Sequence, residues 1–528
     1  MDFKMLYQLP LTVCIFLKFS SFVETSDGFN LLYTTNSLEL ENFPIRFEKE
    51  LPKWLKGTLI RNGFGRFELG KHRMIHLFDA YAKLSSWKFK GDGQATFSTK
   101  FVDSSFYKKS MASGDIAPFI TFMGVEPPFG ILESMNVLIN GLDNMNVNVY
   151  PYSKVAGSSE IKDRGYYALT DFWKIYEFNA TNLNTIGPVQ AKIPGKPGKT
   201  ALGFLSFIST AHPLPEIGKT SSLVFLTKLS LFPWEKHSVN LVRIKATDER
   251  EIVASIPVDQ LPYMHSFSVT KNYAILFFSP IYINIVKIAK TVHPFEGLDW
   301  YGDRQTDVHV INLKTGAVTS MKTENTFTMH HANAYENENG NIVLDLVTYD
   351  DPNFITSMTL DNFRDPKKRN DISFTAKFKR YYIDMKERNV TPYSFPNAKG
   401  QEFMTRFDFP KINEKYRAKK YCYMYGIAVK TDGKSLTKGA VVKKDVCEKG
   451  RDLAYDLDNV YFSETVFVPT PNSKDEDDGI LLSSVLDANE KKSYLYIMDP
   501  KTMNVTNRAE LPTIVPYTLH GGFFPEIH

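Results

Sequence analysis

A hairpin that recurs at a nearly fixed interval constrains this chain more than any other feature. It reads as an apolar strand, a polar turn and a second strand: IYEFNATNLNTI from Ile175, LVRIKATDEREIVA from Leu241, VHVINLKTGAVTS from Val308 and LYIMDPKTMNVTN from Leu495. The first three begin 66 and 67 residues apart and the fourth 187 further on, close to a threefold multiple. Alternating apolar residues bounded by turn residues specify strands, and helical periodicity is scarce elsewhere. A period near 65 residues fits four-stranded blades with long loops arranged radially as a propeller, and about seven or eight such blades fill the chain.

Composition supplies what such a fold needs. Aromatic residues make up 14% of the 528, including 40 Phe and 27 Tyr, which favours strands around a large core. The net charge is only +4, and no Arg/Lys stripe runs along the chain, which excludes nucleic acid as a partner. Apart from the N-terminus, the longest apolar stretch, Tyr273 to Ala289, is broken by Ser279, Pro280, Asn284 and Lys287 and reads as paired core strands rather than a membrane span. Cys14, Cys422 and Cys447 cannot build a disulfide framework and show no zinc spacing, so any metal must rely on His or carboxylates. Leu11 to Leu17, following Lys4, resembles a secretory leader within residues 1–25, the alternative being a buried or disordered leader. Sequons at Asn179, Asn389 and Asn504 fit secretion.

The repeat gives the histidines a place. His265, His330 and His520 follow their hairpin starts by 24, 22 and 25 residues, and His212 by 37. Similar offsets in different blades mean similar places in space, so these four side chains converge on the propeller axis as a metal site would require. His72, His76, His237, His293, His309, His331 and His528 do not share the offset. Neighbours on a strand face opposite sides, so only one of His330 and His331 can reach the axis, and the repeat does not say which.

The surroundings of these histidines resemble the carotenoid cleavage oxygenase family, which includes the retinoid isomerase of the visual cycle. The resemblance runs through GTLIRNGFGRFELG (57–70), HLFDAYAKL (76–84), STAHP (209–213), MHSFSVTKNY (264–273), MHHANAYENENGNIVLDL (329–346) and LHGGFF (519–524). It implies an all-β, seven-bladed β-propeller with a loop and helix cap over an axial Fe(2+), one domain over 26–528, and an apolar tunnel to the metal. By the family's pattern the third ligand precedes an Asn by three residues, which selects His330 ahead of Asn333. The implied ligands are then His212, His265, His330 and His520.

Around them the family places three glutamates. The matching positions here are Asp171 in ALTDF, Asp408 in RFDFP and Glu464 in FSETVF. By resemblance they pair with His265, His330 and His520, leaving His212 without a carboxylate. Aspartate is one methylene shorter, so the backbone must approach or a water must bridge.

The family's membrane-docking segment is matched by APFITFMGVEPPFGIL (117–132), which has no lipid-modifiable Cys but keeps Phe and Ile, either for peripheral contact with a lipid surface or to pack under the cap. The implied function is O2-dependent cleavage of a carotenoid double bond to apocarotenal or retinal products. Retinyl ester isomerohydrolysis and a non-catalytic carotenoid or retinoid carrier are the alternatives. The expected location is the secretory lumen or outside the cell, with a membrane-associated cytoplasmic protein as the alternative.

Overall fold

Strand-forming sequence dominates the computed structural model, which describes residues 27–189, 208–230, 234–291, 293–397, 401–432 and 436–528. The leader expected within 1–25, with Cys14, lies outside the described residues. Among the described residues, seven antiparallel sheets of four or five strands follow one another along the chain. The first joins Leu40–Ile45, Lys56–Arg66, Tyr81–Lys90 and Ala95–Phe101 to the C-terminal strand Thr518–Phe524. The second runs from Asn148–Ser153 to Thr185–Pro188, the third from Leu214–Pro215 to Glu249–Val258, and the fourth from Ser268–Val269 to Val318–Thr323. The fifth runs from Phe327–Glu336 to Asn389–Ser394, the sixth from Asp408–Ile412 to Leu453–Asp456, and the seventh from Val460–Phe462 to Val505–Glu510.

The four repeated hairpins are the two outermost strands of the second, third, fourth and seventh sheets. Middle strands such as Ile342–Tyr349 and Gly479–Asp487 are buried on both faces, and successive sheets share apolar clusters. Ile275, Phe277 and Val310 of the fourth pack with Leu344, Leu346 and Tyr381 of the fifth. The seventh packs back on the first, through Leu482, Leu495 and Ile497 against Leu59, Trp87 and Phe97. Tyr273 to Ala289 is not a pair of strands joined to each other: Tyr273–Phe278 pairs with Thr306–Asn312, Ile281–Ile283 pairs with Leu298–Trp300 in a separate sheet, and a short helix begins at Ile285. No helix among the described residues is long and apolar enough to cross a membrane.

The cysteine reading needs correction. Cys422 and Cys447 form a disulfide, with Cα atoms 5.0 Å apart. They flank the open end of the hairpin Tyr423–Ala428/Ala440–Asp445, where Tyr423 faces Asp445. Separated by 25 residues, they carry no sequence sign of the pairing that strand register imposes.

Candidate metal centre

Each of the four offset histidines sits on, or just before, the first strand of a sheet or the strand that closes the first sheet. His212 precedes Leu214–Pro215, His265 precedes Ser268–Val269, His330 lies in Phe327–Glu336 and His520 in Thr518–Phe524. The longer interval before His212 includes residues 190–207, which lie outside the described residues. The pairing register shifts at His330 and again opposite His520, the local re-aiming that bulges provide. Gly521 lets the His520 strand lie against its neighbour, since a Cβ there would fall 2.0 Å from the Ile60 carbonyl oxygen.

Ring nitrogens of the four side chains all lie within 4.8 Å of one another. His212 Nε2 is 2.9 Å from His265 Nε2, and His330 Nε2 is 3.2 Å from His520 Nε2. His331 takes no part; its Nδ1 is 2.8 Å from Ser268 Oγ, and its ring meets Phe277 edge-on. The other histidines are also placed elsewhere: His76 reaches the Ile355 carbonyl at 2.8 Å and His72 reaches Asp115 at 2.8 Å.

Three outward nitrogens are held by carboxylates. His265 Nδ1 donates to Asp171 at 2.6 Å, His330 Nδ1 to Asp408 at 2.7 Å and His520 Nδ1 to Glu464 at 2.8 Å. The two aspartates reach their histidines directly, and backbone N–H groups bond both carboxylates. Phe409, at φ 57°, turns left-handed beside Asp408 and donates its N–H to the same carboxylate, and the Ala211 N–H donates to Asp171. The second oxygen of Asp408 accepts from Tyr349 Oη at 2.5 Å. Burial, and then the Asp171 charge, raises the Tyr263 hydroxyl well above its usual range, so it stays protonated beside that carboxylate.

Glu464 carries two cations: Arg61 pairs with one oxygen, and Lys411 Nζ lies 3.2 Å from the oxygen that accepts from His520. Sequence reasoning missed Tyr263, Tyr349, Arg61 and Lys411. Only Arg61 gave a signal, as a lone charge in the apolar strand TLIRNGF, where a buried cation needs a partner.

The donor set fits a cation. With the Nδ1 protons of His265, His330 and His520 committed to carboxylates, the facing Nε2 atoms of His330 and His520 present lone pairs to each other at 3.2 Å, which a shared positive centre relieves. Burial, followed by the neighbouring imidazoles, holds His212 and His520 well below the usual histidine range and so neutral, as ligation requires.

The cluster partitions two cavities. An apolar one is walled by Phe78, Phe122, Phe354, Phe374 and Phe409 and reaches His265, His330 and His520. A second, of about 510 Å³, contains Lys411, Glu414 and Arg417 and reaches His212, His330 and His520.

Fold and site together define a mostly β protein with a four-histidine centre, able to hold a metal ion, between an apolar cavity and a second one that contains Lys411, Glu414 and Arg417. The chain belongs to the retinal pigment epithelial membrane protein family, whose model matches residues 34–525. It is 26% identical to human β,β-carotene 15,15'-dioxygenase over 93% of both chains. It is also 26% identical to the carotenoid isomerooxygenase of Galleria mellonella over 90% of this chain and 92% of that one. A solved variant of Synechocystis apocarotenoid oxygenase superposes with a TM-score of 0.77 at 23% identity, covering 93% of this chain and 97% of that chain.

Proposed function

We propose that this chain is a non-haem Fe(II) dioxygenase that cleaves a carotenoid double bond with O2 to give apocarotenals, retinal among them. The observation that carries the reading is four imidazoles converging on one point, three of them lining an aromatic-walled cavity. Fe(II) bound there supplies the one-electron chemistry that O2 needs. The protein's part is positional. Asp171, Asp408 and Glu464 fix three ring tautomers so that Nε2 faces inward, while the phenylalanine walls exclude water and align a long apolar chain against the centre.

In this reading the seven sheets are the blades of a propeller formed by residues 26–528, closed by the C-terminal strand on the first sheet. The packing of the seventh sheet against the first supports that closure. Substrate arrives from a lipid surface, which the exposed apolar side chains of helix Ile131–Asn140 support. The protein folds in the secretory lumen, a reading supported by the disulfide and by exposure of all three sequon asparagines.

The test is to incubate iron-loaded protein with β-carotene and, separately, with a retinyl ester, each with and without O2, and to weigh the products. Aldehydes carrying label from isotopic O2, formed only aerobically, are expected. Anaerobic conversion of the ester would replace this reading with isomerohydrolysis, and binding without conversion of either would leave a carrier.

A further inference from the structure

The first described residues belong to no sheet. Asp27 and the short turn Phe29–Tyr33 precede the first strand, Leu40–Ile45, yet Phe29, Leu32 and Tyr33 are buried and line the same apolar cavity as His265, His330 and His520. A chain of ring contacts connects this strap to the centre. Tyr33 stacks on Tyr517 at 6.2 Å, Tyr517 meets Phe409 at 6.1 Å, and Phe409 lies 5.3 Å from His520 and 5.2 Å from His330. Two rings, Tyr517 and Phe409, therefore separate the strap from the ligands, within the length of a polyene.

Its anchoring exceeds what a covering segment needs. Arg369, fully buried, pairs with Asp27, donates to the Phe363 carbonyl at 2.8 Å and sits 4.5 Å above the Phe29 ring. Tyr461 Oη donates to the Asp27 carbonyl at 3.1 Å, Arg364 donates to the Tyr33 carbonyl at 2.6 Å, and the Tyr517 N–H donates to the Leu32 carbonyl at 2.9 Å. A buried ion pair stabilises no better than apolar packing of the same volume, so what it adds is a fixed position. Both arginines come from the helical segment Leu360–Asp371, which also supplies Phe363 to the cavity wall. Phe363 meets Tyr33 edge-on at 5.2 Å.

We infer that the strap formed by Phe29, Leu32 and Tyr33 is the end wall of the polyene cavity. It sets how much of the substrate chain can lie beyond the metal, and so which double bond stops at it. This rests on the carotenoid-cleavage reading and adds the element that measures length.

The experiment enlarges the end of the cavity with Phe29→Ala and fills it with Leu32→Trp. The holoenzymes are given a series of apocarotenals of increasing chain length, and product masses and KM are recorded for each. Iron content and melting temperature report folding, and Phe29→Leu is the milder enlargement should Phe29→Ala fail to fold. The enlarged cavity should take longer chains with KM lowered about tenfold and move cleavage along the polyene, while Leu32→Trp moves both the other way. Folded variants of both kinds with the wild-type length preference and products would overturn the inference. Should wild type cleave nothing, the functional reading fails, and binding of the same series, followed by quenching of protein fluorescence, decides the strap alone. Length preference shifting in opposite directions in the two variants sustains it, and an unshifted preference overturns it.

Discussion

Asp171 and Asp408 stand where the family resemblance implies glutamate, and both shorter side chains still reach their histidines directly. Direct contacts of 2.6 and 2.7 Å leave no room for another methylene, and Tyr349 already occupies the far oxygen of Asp408. Inserting a methylene into a packed region costs about 1–3 kcal/mol, and disturbing a ligand's outer partner typically lowers metal affinity or activity about 10 to 100-fold. Asp171→Glu combined with Asp408→Glu should therefore lower both iron retention and turnover; a gain in either would mean a decayed shell rather than an adapted one. The ligands themselves separate more sharply. His265→Ala and His330→Ala should each strip iron from the purified protein, whereas His331→Ala should keep it and lose only stability, because His331 bonds Ser268. Equal metal loss from His330→Ala and His331→Ala, by elemental analysis, would sink that assignment. His265 and His520 were legible because the repeat carries them at similar offsets, whereas His212 lies off that spacing and His330 was told from His331 only by the family resemblance, as the three carboxylates were by their flanking motifs. Tyr263, Tyr349 and Lys411 were not, since what gives each its role is a partner 53 to 92 residues away in sequence, Glu464 for Lys411 and Asp171 for Tyr263.

Among the elements, outer hairpins were readable and inner strands were not. A long outer strand such as His237–Ala246 pairs with its immediate successor and must alternate over its length. Leu214–Pro215 and Ser268–Val269 are two residues long, too short for any periodicity, yet each follows a ligand. The disulfide hides for a similar reason, its partners being brought together only by the register of Tyr423–Ala428 on Ala440–Asp445. Closing a loop of that length contributes about 3 kcal/mol, so Cys422→Ser with Cys447→Ser should lower the melting temperature without releasing iron. A second element-scale device is Asp79, buried where its carboxylate accepts from the Phe122 and Met123 N–H groups and so fixes a wall of the apolar cavity. Burial raises it to about 7 from 3.8, against the lowering effect of those hydrogen bonds. Between those two values the folded state holds a proton that the unfolded chain has released, so this residue's contribution to stability falls as pH rises from about 4 to 7. Denaturant melts across that window should show a downward slope in wild type that is flatter in Asp79→Asn; identical slopes would remove Asp79 as its source.

For the molecule as a whole, the period read from four hairpins implied seven or eight units, and seven large sheets are present among the described residues. The closing strand was not legible, because nothing in LHGGFF announces that it pairs with Lys56–Arg66 at the other end of the chain. Nor does the sequence say which way the molecule faces a membrane, since apolar residues in a connecting segment suit a covered core equally well. In residues 131–140 most of the apolar side chains lie on the surface rather than in a covered core. Ile131, Leu132 and Ile139 are 87%, 79% and 79% exposed on a ten-residue helix, and Met135 is 62% exposed on the same stripe. Spaced at i, i+1, i+4 and i+8, these side chains share one face, while Val137 turns inward. A face this apolar is expensive to leave in water at about 25 cal/mol per Å², and lipid covers it without requiring a partner of matching shape. Neutral phosphatidylcholine vesicles should therefore float the wild-type protein, and Ile131→Asp with Ile139→Asp should leave it in the soluble fraction. If the helix also collects substrate, carotenoid dissolved in vesicles should be turned over much more slowly by that variant, and carotenoid dispersed in detergent far less so. Equal losses in the two assays would mean that the helix supports the fold rather than the encounter with lipid.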